Sequence, residues 1–334
     1  MLPENTATHN ITEIVAHPES GLPVINRIPE SLRIQLNPNA RQRALHSIGC
    51  EIRFRLNSPT ATLRIRACET GAPHHGGGMA QILFGDFSHT YFPVGQTTST
   101  IEVTAPDYDL LEKASPAPLF SPRLMRILLP THSSITQLEI DGVVSPPEVG
   151  DLSAKRMLNY GSSITQGSGG LTSRESWAGR CAHLLRHDLI NLGFGGGCHC
   201  EPEMTDYLCH RNDFDIAILE TGINMLGMEP KEANQRIVHL IRSFQKTHAD
   251  KPTFCLGVFP CNEDVKNGFA GRAREIHQLV EQTVREIDSP QLHFIDGSKA
   301  LDHPFDMTTD LTHPSPAGMI SIGEYVAKQI QNIL

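Results

Sequence analysis

Gly161-Ser162-Ser163-Ile164-Thr165-Gln166-Gly167 follows the short apolar run Arg156-Met157-Leu158-Asn159-Tyr160 and precedes a helix-like segment that begins near Arg174. That order places two serines at the carboxyl end of a strand, where open α/β sheets bind their ligands. A serine there needs a base to take its proton, a group to orient the base, and donors for an oxyanion.

Outward from this stretch the chain repeats strand, loop and helix. Thr172-Ser173-Arg174-Glu175 matches a capping box, and Trp177, Cys181, Leu184 and Leu185 share one helical face behind it. The strand Leu189-Ile190-Asn191-Leu192 leads into Gly193-Phe194-Gly195-Gly196-Gly197. A short helix over 201–209, a strand from Asp215 to Leu219 and the loop Glu220-Thr221-Gly222-Ile223-Asn224-Met225 come next. Helical spacing of Ile237, Leu240, Ile241 and Phe244 precedes the strand Thr253 to Phe259, and Ile276, Leu279, Val280, Val284 and Ile287 precede His293-Phe294-Ile295. A final helix carries Ile322, Val326, Ile330 and Ile333. Five strands alternating with helices predict a parallel sheet covered on both faces.

Upstream the period is different. Residues 1–30, with Pro3, Pro18, Pro23 and Pro29, read as an arm with little regular structure. Ser31-Leu32-Arg33-Ile34-Gln35-Leu36 alternates like a strand, and Cys50–Leu56 and Thr62–Arg66 flank the turn composition Asn57-Ser58-Pro59-Thr60 like a hairpin with a solvated arginine-rich face. Further short strands are expected at 81–84, 90–94, 99–103, 123–129 and 136–140, with glycine- and proline-rich breaks, so residues 31–147 read as a sandwich or jelly roll. His74-His75-Gly76-Gly77-Gly78 reads as a loop or a flap near a ligand. Ser145-Pro146-Pro147 marks the boundary to a second domain over 151–334.

At 334 residues two domains are expected. The net charge of −9 argues against nucleic acid as a partner. No run of about 18 apolar residues predicts a membrane span, and the first residues lack a signal-peptide pattern, so a cytoplasmic protein is expected. The eight cysteines are read as reduced thiols. Cys198-His199-Cys200 and Cys209-His210 carry zinc-ligand types, but their spacing does not match a C-x₂-C site, and no metal or organic cofactor is expected.

The loops after successive strands contribute Ser163, Gly196 and Asn224, and the segment before the last helix contributes Asp310-Leu311-Thr312-His313. A hydroxyl, a backbone N–H, a side-chain amide and an Asp-x-x-His pair are the parts of a serine hydrolase with an oxyanion hole. Taken singly, the Gly-Ser-Ser stretch also fits an ordinary turn and Asp310 a helix cap. Gly193–Gly197 suggests a phosphate loop but lacks the full G-x-G-x-x-G pattern. Asp302-His303 is a rival acid–base pair without the i, i+3 spacing that turns both side chains to one site.

Four blocks in this order over residues 155–330 resemble the SGNH hydrolases, also called the GDSL esterase/lipase family. The resemblance implies a flavodoxin-like three-layer α/β/α domain with a parallel sheet, here preceded by an all-β jelly-roll or sandwich domain. It implies Ser163 as nucleophile, His313 as base, Asp310 as its orienting acid, and the Ser163 and Gly196 N–H groups with the Asn224 amide as the oxyanion hole. Two departures stand out. Ser162 replaces the usual aspartate of the first block and adds a second hydroxyl beside the nucleophile, and Met225 replaces an aspartate often found after the asparagine.

A jelly-roll-like domain before an SGNH domain resembles the arrangement of carbohydrate esterase family 2. It implies a short-chain, acetyl-type ester on a sugar or oligosaccharide, and no long apolar lid segment argues for long acyl chains. An acyltransferase built from the same parts and a carbohydrate-binding protein with an inactive hydrolase domain are the alternatives. No stretch identifies an interface, so a homo-oligomer stays open.

Overall fold

The structure is a computed structural model that describes residues 2–70, 78–267 and 271–334. His74–Gly77 of the expected flap lie outside the described residues.

In the C-terminal half, five strands form one parallel sheet in the order Asp188–Gly193, Arg156–Gly161, Ile216–Glu220, Thr253–Leu256, Leu292–Ile295. Numbered along the chain this is 2-1-3-4-5, the flavodoxin-like order. The strands are buried on both faces because helices cover both. Pro202–His210, Pro230–Thr247 and Arg272–Ile287 pack Leu208, Leu240, Phe244, Ile276 and Val280 against one face. Trp177–Leu184 and Pro316–Ile333 pack Trp177, Cys181, Ile322, Val326 and Ile330 against the other. The first of these two helices starts one turn later than expected, because Ser176, and not Thr172, caps it by accepting from Gly179 N.

The N-terminal half is a sandwich of antiparallel sheets. One runs Ala7–His9, Glu51–Leu56, Leu124–Leu128, Met79–Phe84, Phe87–Pro93, and the other Ser133–Asp141, Thr60–Thr70, Ser99–Thr104. Their inner faces enclose Ile52, Phe54, Leu63, Ile65, Ile82, Met125 and Ile135.

Several readings of this half are corrected. Residues 1–30 hold an edge strand, Ala7–His9, and a hairpin of Glu13–Ala16 with Pro23–Asn26. Pro23 starts a strand, a position where its missing N–H is tolerated, and Pro18 falls in the intervening turn. Ser31–Leu36 is not a strand. A helical turn, Glu30–Arg33, buries Leu32 and leads to buried Leu36, while Ile34 stays 54% exposed. A spacing of four fits both periods, and here the helix uses it. Glu51–Leu56 and Thr60–Thr70 are not hairpin partners either, since the turn between them crosses from one sheet to the other. The supposed solvated arginine face is in part an interface: Arg53 is 3% exposed and forks onto Asp188 of the parallel sheet at 2.6 and 2.7 Å.

Candidate active site

Gly161 ends the first strand of the parallel sheet, and the chain turns at once into a four-residue helix, Ser163–Gln166. Ser162 caps that helix by accepting from Ile164 N, and Gly167, in the left-handed conformation, ends it. Ser163 therefore stands at the first helical position, where a backbone N–H has no partner within the helix and can serve an oxyanion.

A histidine arrives from the other end of the chain. Ser163 Oγ lies 2.8 Å from His313 Nε2, and His313 Nδ1 donates to Asp310 Oδ2 over 2.7 Å. The carboxylate fixes the tautomer in which Nε2 carries no proton and accepts from the serine. Asp310 Oδ1 in turn accepts from Thr308 Oγ1 (2.8 Å), Thr312 N (2.8 Å) and His313 N (2.9 Å). Burial works to raise the Asp310 carboxyl, but the hydrogen bonds from His313, Thr312 and Thr308 outweigh it and hold the group well below the usual carboxylate range. Asp302 and His303 are exposed, and the His303 ring stacks on Phe305.

Ser163, His313, Gly196 and Asn224 line one cleft of about 390 Å³. Asn224 is oriented by Cys198, whose backbone N–H donates to Oδ1 at 3.2 Å, and this frees the amide nitrogen to serve as donor. The glycine loop is held from both sides. Gln166 Oε1 accepts from Gly195 N at 2.7 Å, and Gly193 packs so tightly on the Ser163–Gln166 helix that a Cβ there would overlap Gln166 N.

The N-terminal half supplies the remaining supports. Arg27, 1% exposed, donates to the carbonyls of Asn191 and Gly193 at 2.9 and 2.8 Å. Arg43, Asn39 and Asn37 donate to the next carbonyls, Gly195 (3.3 Å), Gly196 (3.0 Å) and Gly197 (2.9 Å). These bonds fix the carbonyls of the loop that lines the cleft with Gly195 and Gly196.

The departure at Ser162 has a structural answer. Glu220, at the end of the neighbouring strand, accepts through one oxygen from Ser162 N (2.7 Å), Ser162 Oγ (2.7 Å) and Thr165 Oγ1 (3.0 Å). The residue is 3% exposed; burial pushes the pKa of its carboxyl up, and the bonds from Ser162 and Thr165 oppose the rise. The carboxylate missing from the first block thus enters from the third strand. It also commits the Ser162 hydroxyl as a donor, so Ser163 alone of the pair faces the histidine. Glu220 escaped the sequence reading; its one signal is an acid closing the apolar strand Ile216–Glu220. Arg27, Asn37, Asn39 and Arg43 gave no signal, because their roles depend on contact between distant segments.

A model of the GDSL-like lipase/acylhydrolase family matches residues 154–331. The chain belongs to that family. No curated protein matches the sequence. Three solved structures share the fold across both halves. The salicylyl-acyltransferase SsfX3 from a tetracycline biosynthetic pathway superposes with a TM-score of 0.77 at 16% identity, over 99% of this chain and 95% of that one. A Bacteroides ovatus protein described provisionally as a GDSL-like lipase gives 0.73 at 18%, over 98% of each chain. A family two carbohydrate esterase from Cellvibrio japonicus gives 0.61 at 14%, also over 98% of each. This GDSL acylhydrolase therefore has the fold of enzymes that hydrolyse or transfer acyl esters, with an accessory β-sandwich in common.

Proposed function

We propose that this GDSL acylhydrolase is a serine esterase that cleaves short acyl esters, of acetyl type, on a carbohydrate. The observation that carries the reading is the continuous relay from Asp310 through His313 to Ser163 Oγ, with links of 2.7 and 2.8 Å.

His313 Nε2 takes the proton as Ser163 Oγ attacks the ester carbonyl carbon. The carbonyl electron pair moves onto oxygen and is held by the N–H groups of Ser163 and Gly196 and the Asn224 amide. Collapse of the tetrahedral adduct breaks the bond to the alcohol oxygen, which leaves with the proton from His313. Water then adds to the acyl-enzyme by the same steps and releases the acid. Asp310 keeps the imidazole in its tautomer and stabilises the imidazolium; it stays ionised throughout.

The carbohydrate assignment draws on the shared architecture with the Cellvibrio japonicus esterase and on the polar lining of the cleft, in which Asn39, Ser168, Asn262 and Thr312 join the catalytic groups. Likeness to SsfX3 over 99% of the chain favours a second reading, acyl transfer to an alcohol in place of water.

Hydrolysis of p-nitrophenyl esters from acetate to decanoate, by the native protein and by Ser163→Ala, is the test. Activity on the short esters that Ser163→Ala abolishes is the expected result. Retention by Ser163→Ala with loss in Ser162→Ala would place the nucleophile wrongly, and a long-chain preference would overturn the acetyl assignment. Adding a competing alcohol and analysing the products separates hydrolysis from transfer.

A further inference from the structure

We propose that the cleft selects an ester flanked by free hydroxyl groups, which donate to the side-chain oxygens of Asn39 and Asn262, so that its substrate is a partially acylated sugar and not a fully acylated one. The inference rests on the carbohydrate-esterase reading and names the form of carbohydrate that is taken.

Three asparagine side chains line the cleft, and each is held by one half of its amide. Asn224 is held by its oxygen, which accepts from Cys198 N, and so has a donor to offer. Asn39 and Asn262 are held the other way round. Asn39 Nδ2 donates to Gly196 O at 3.0 Å. Asn262 Nδ2 donates to Thr312 Oγ1 at 2.9 Å and to Asp310 O at 3.4 Å. A backbone carbonyl only accepts, so these contacts fix which half of each amide is turned to the protein. Thr312 Oγ1 spends its own proton on Asp310 O at 3.3 Å, which leaves it to accept from Asn262. Among the described residues, neither Asn39 Oδ1 nor Asn262 Oδ1 accepts a hydrogen bond. What these two lining amides have left to offer is an oxygen.

Two acceptors call for two donors, and the chemistry says where those must lie. An acetyl group has no N–H or O–H, so the alcohol part of the ester has to supply them. Asn262 is bonded to the residue before His313, the group that returns a proton to the leaving alcohol, and so belongs to the alcohol's side of the site. Asn39 is bonded to the carbonyl of Gly196, on the oxyanion loop. A hydroxyl next to the scissile ester donates to such an oxygen. An acylated or methylated neighbour brings only further acceptors, which leaves the amide oxygen unmatched and disfavours the wrong substrate.

Acetate release from three glucosides tests this. They are methyl 3-O-acetyl-β-D-glucopyranoside, with a hydroxyl on each neighbouring carbon, and its 2,4-dideoxy and 2,4-di-O-methyl counterparts. A hydrogen bond between neutral groups is worth about two- to tenfold in kcat/KM. The parent should therefore exceed each counterpart by about four- to a hundredfold when both hydroxyls are met. Asn262→Ala and Asn39→Ala should each cut that ratio about two- to tenfold. Asn262→Asp, which keeps an oxygen but loses the donor to Thr312, should retain most of it. The ratio separates contact from support, because a loosened loop slows all three substrates alike. Equal kcat/KM on the three by the native protein would overturn the proposal alone and leave a sugar esterase standing. Ratios unchanged in both alanine variants would do the same, reducing Asn39 and Asn262 to supports for their loops. If no glucoside releases acetate while Ser163-dependent hydrolysis of p-nitrophenyl acetate proceeds, the carbohydrate reading falls and takes this proposal with it.

Discussion

At the residue scale the site divides into groups that do chemistry and groups that hold them. Ser163, His313, Asp310, Gly196 and Asn224, the groups proposed to do the chemistry, are legible in the sequence because the four blocks that carry them resemble those of the SGNH hydrolases in kind and order. Asn224 makes a clear prediction: with its Oδ1 held by Cys198 N, its amide is preset toward the cleft. Asn224→Ala should lower kcat by about 10²–10³ with little change in KM, as expected of a donor used in the transition state; steady-state kinetics on p-nitrophenyl acetate measure it. Glu220 is a positioning residue, legible only as an acid at the end of an apolar strand. Its one oxygen satisfies three donors, on Ser162 and Thr165. Glu220→Ala strands them in a buried place, at about 1–3 kcal/mol for each unsatisfied group, so both the melting temperature and kcat should fall. Glu220→Gln keeps an acceptor and should recover much of both. Equal damage from the two substitutions would show that charge, and not hydrogen bonding, is what the turn requires.

At the element scale the site depends on two short pieces meeting: the turn after the first strand and the loop before the last helix. Gly169 is where they touch. Its φ is +100°, and a Cβ there would overlap the carbonyl oxygen of Pro314, the residue after the base. Gly169→Ala should push the loop outward and lengthen the separation of His313 from Ser163. A displacement of about 1 Å can lower the rate about 10²-fold, so kcat should drop while circular dichroism remains native. The parallel sheet and its helices were readable because each helix repeats its apolar residues every three or four positions and each strand is a short, largely apolar run between turn residues. The elements misread were the short ones. Leu32 and Leu36 fit a strand's alternation as well as a helical turn, and two prolines concealed the hairpin of Glu13–Ala16 with Pro23–Asn26, Pro18 by sitting in its turn and Pro23 by starting its second strand.

At the scale of the whole molecule the two halves share a buried ionic seam, which hydrophobic period alone could not reveal. Alternation along Glu51–Leu56 marks one face as polar but cannot say whether water or protein covers it. Protein does: Arg53 bridges Asp188 and Glu51, Arg126 forks onto Glu51 at 2.6 and 2.8 Å, and His9 lies 3.4 Å from Asp188. Since Asp188 begins the strand that ends at the oxyanion loop, the seam connects the sandwich to the site. Removing one partner leaves a buried charge unmatched, a loss of about 3–5 kcal/mol, so Asp188→Asn should lower the melting temperature markedly. The pH dependence has one sign for all three titrating groups. Burial, with Arg53 adding to it, lowers the His9 imidazole, so the unfolded chain takes up that proton more readily and stability falls as pH drops below about 6.5. Burial would raise Glu51 and Asp188, but Arg126 and Arg53 hold Glu51 below its ordinary range, and His9 and Arg53 do the same for Asp188. Their stabilisation is complete above the ordinary carboxylate values, near 4, and is lost as pH falls further toward the lowered folded-state values. Thermal unfolding between pH 8 and 3 should therefore show stability declining in two stages, below about 6.5 and again below about 4. His9→Gln should flatten part of the first, to which burial of His183 and His187 also contributes, and Asp188→Asn part of the second. A melting temperature independent of pH across that range would mean that the seam is solvated and that the halves are joined by other contacts.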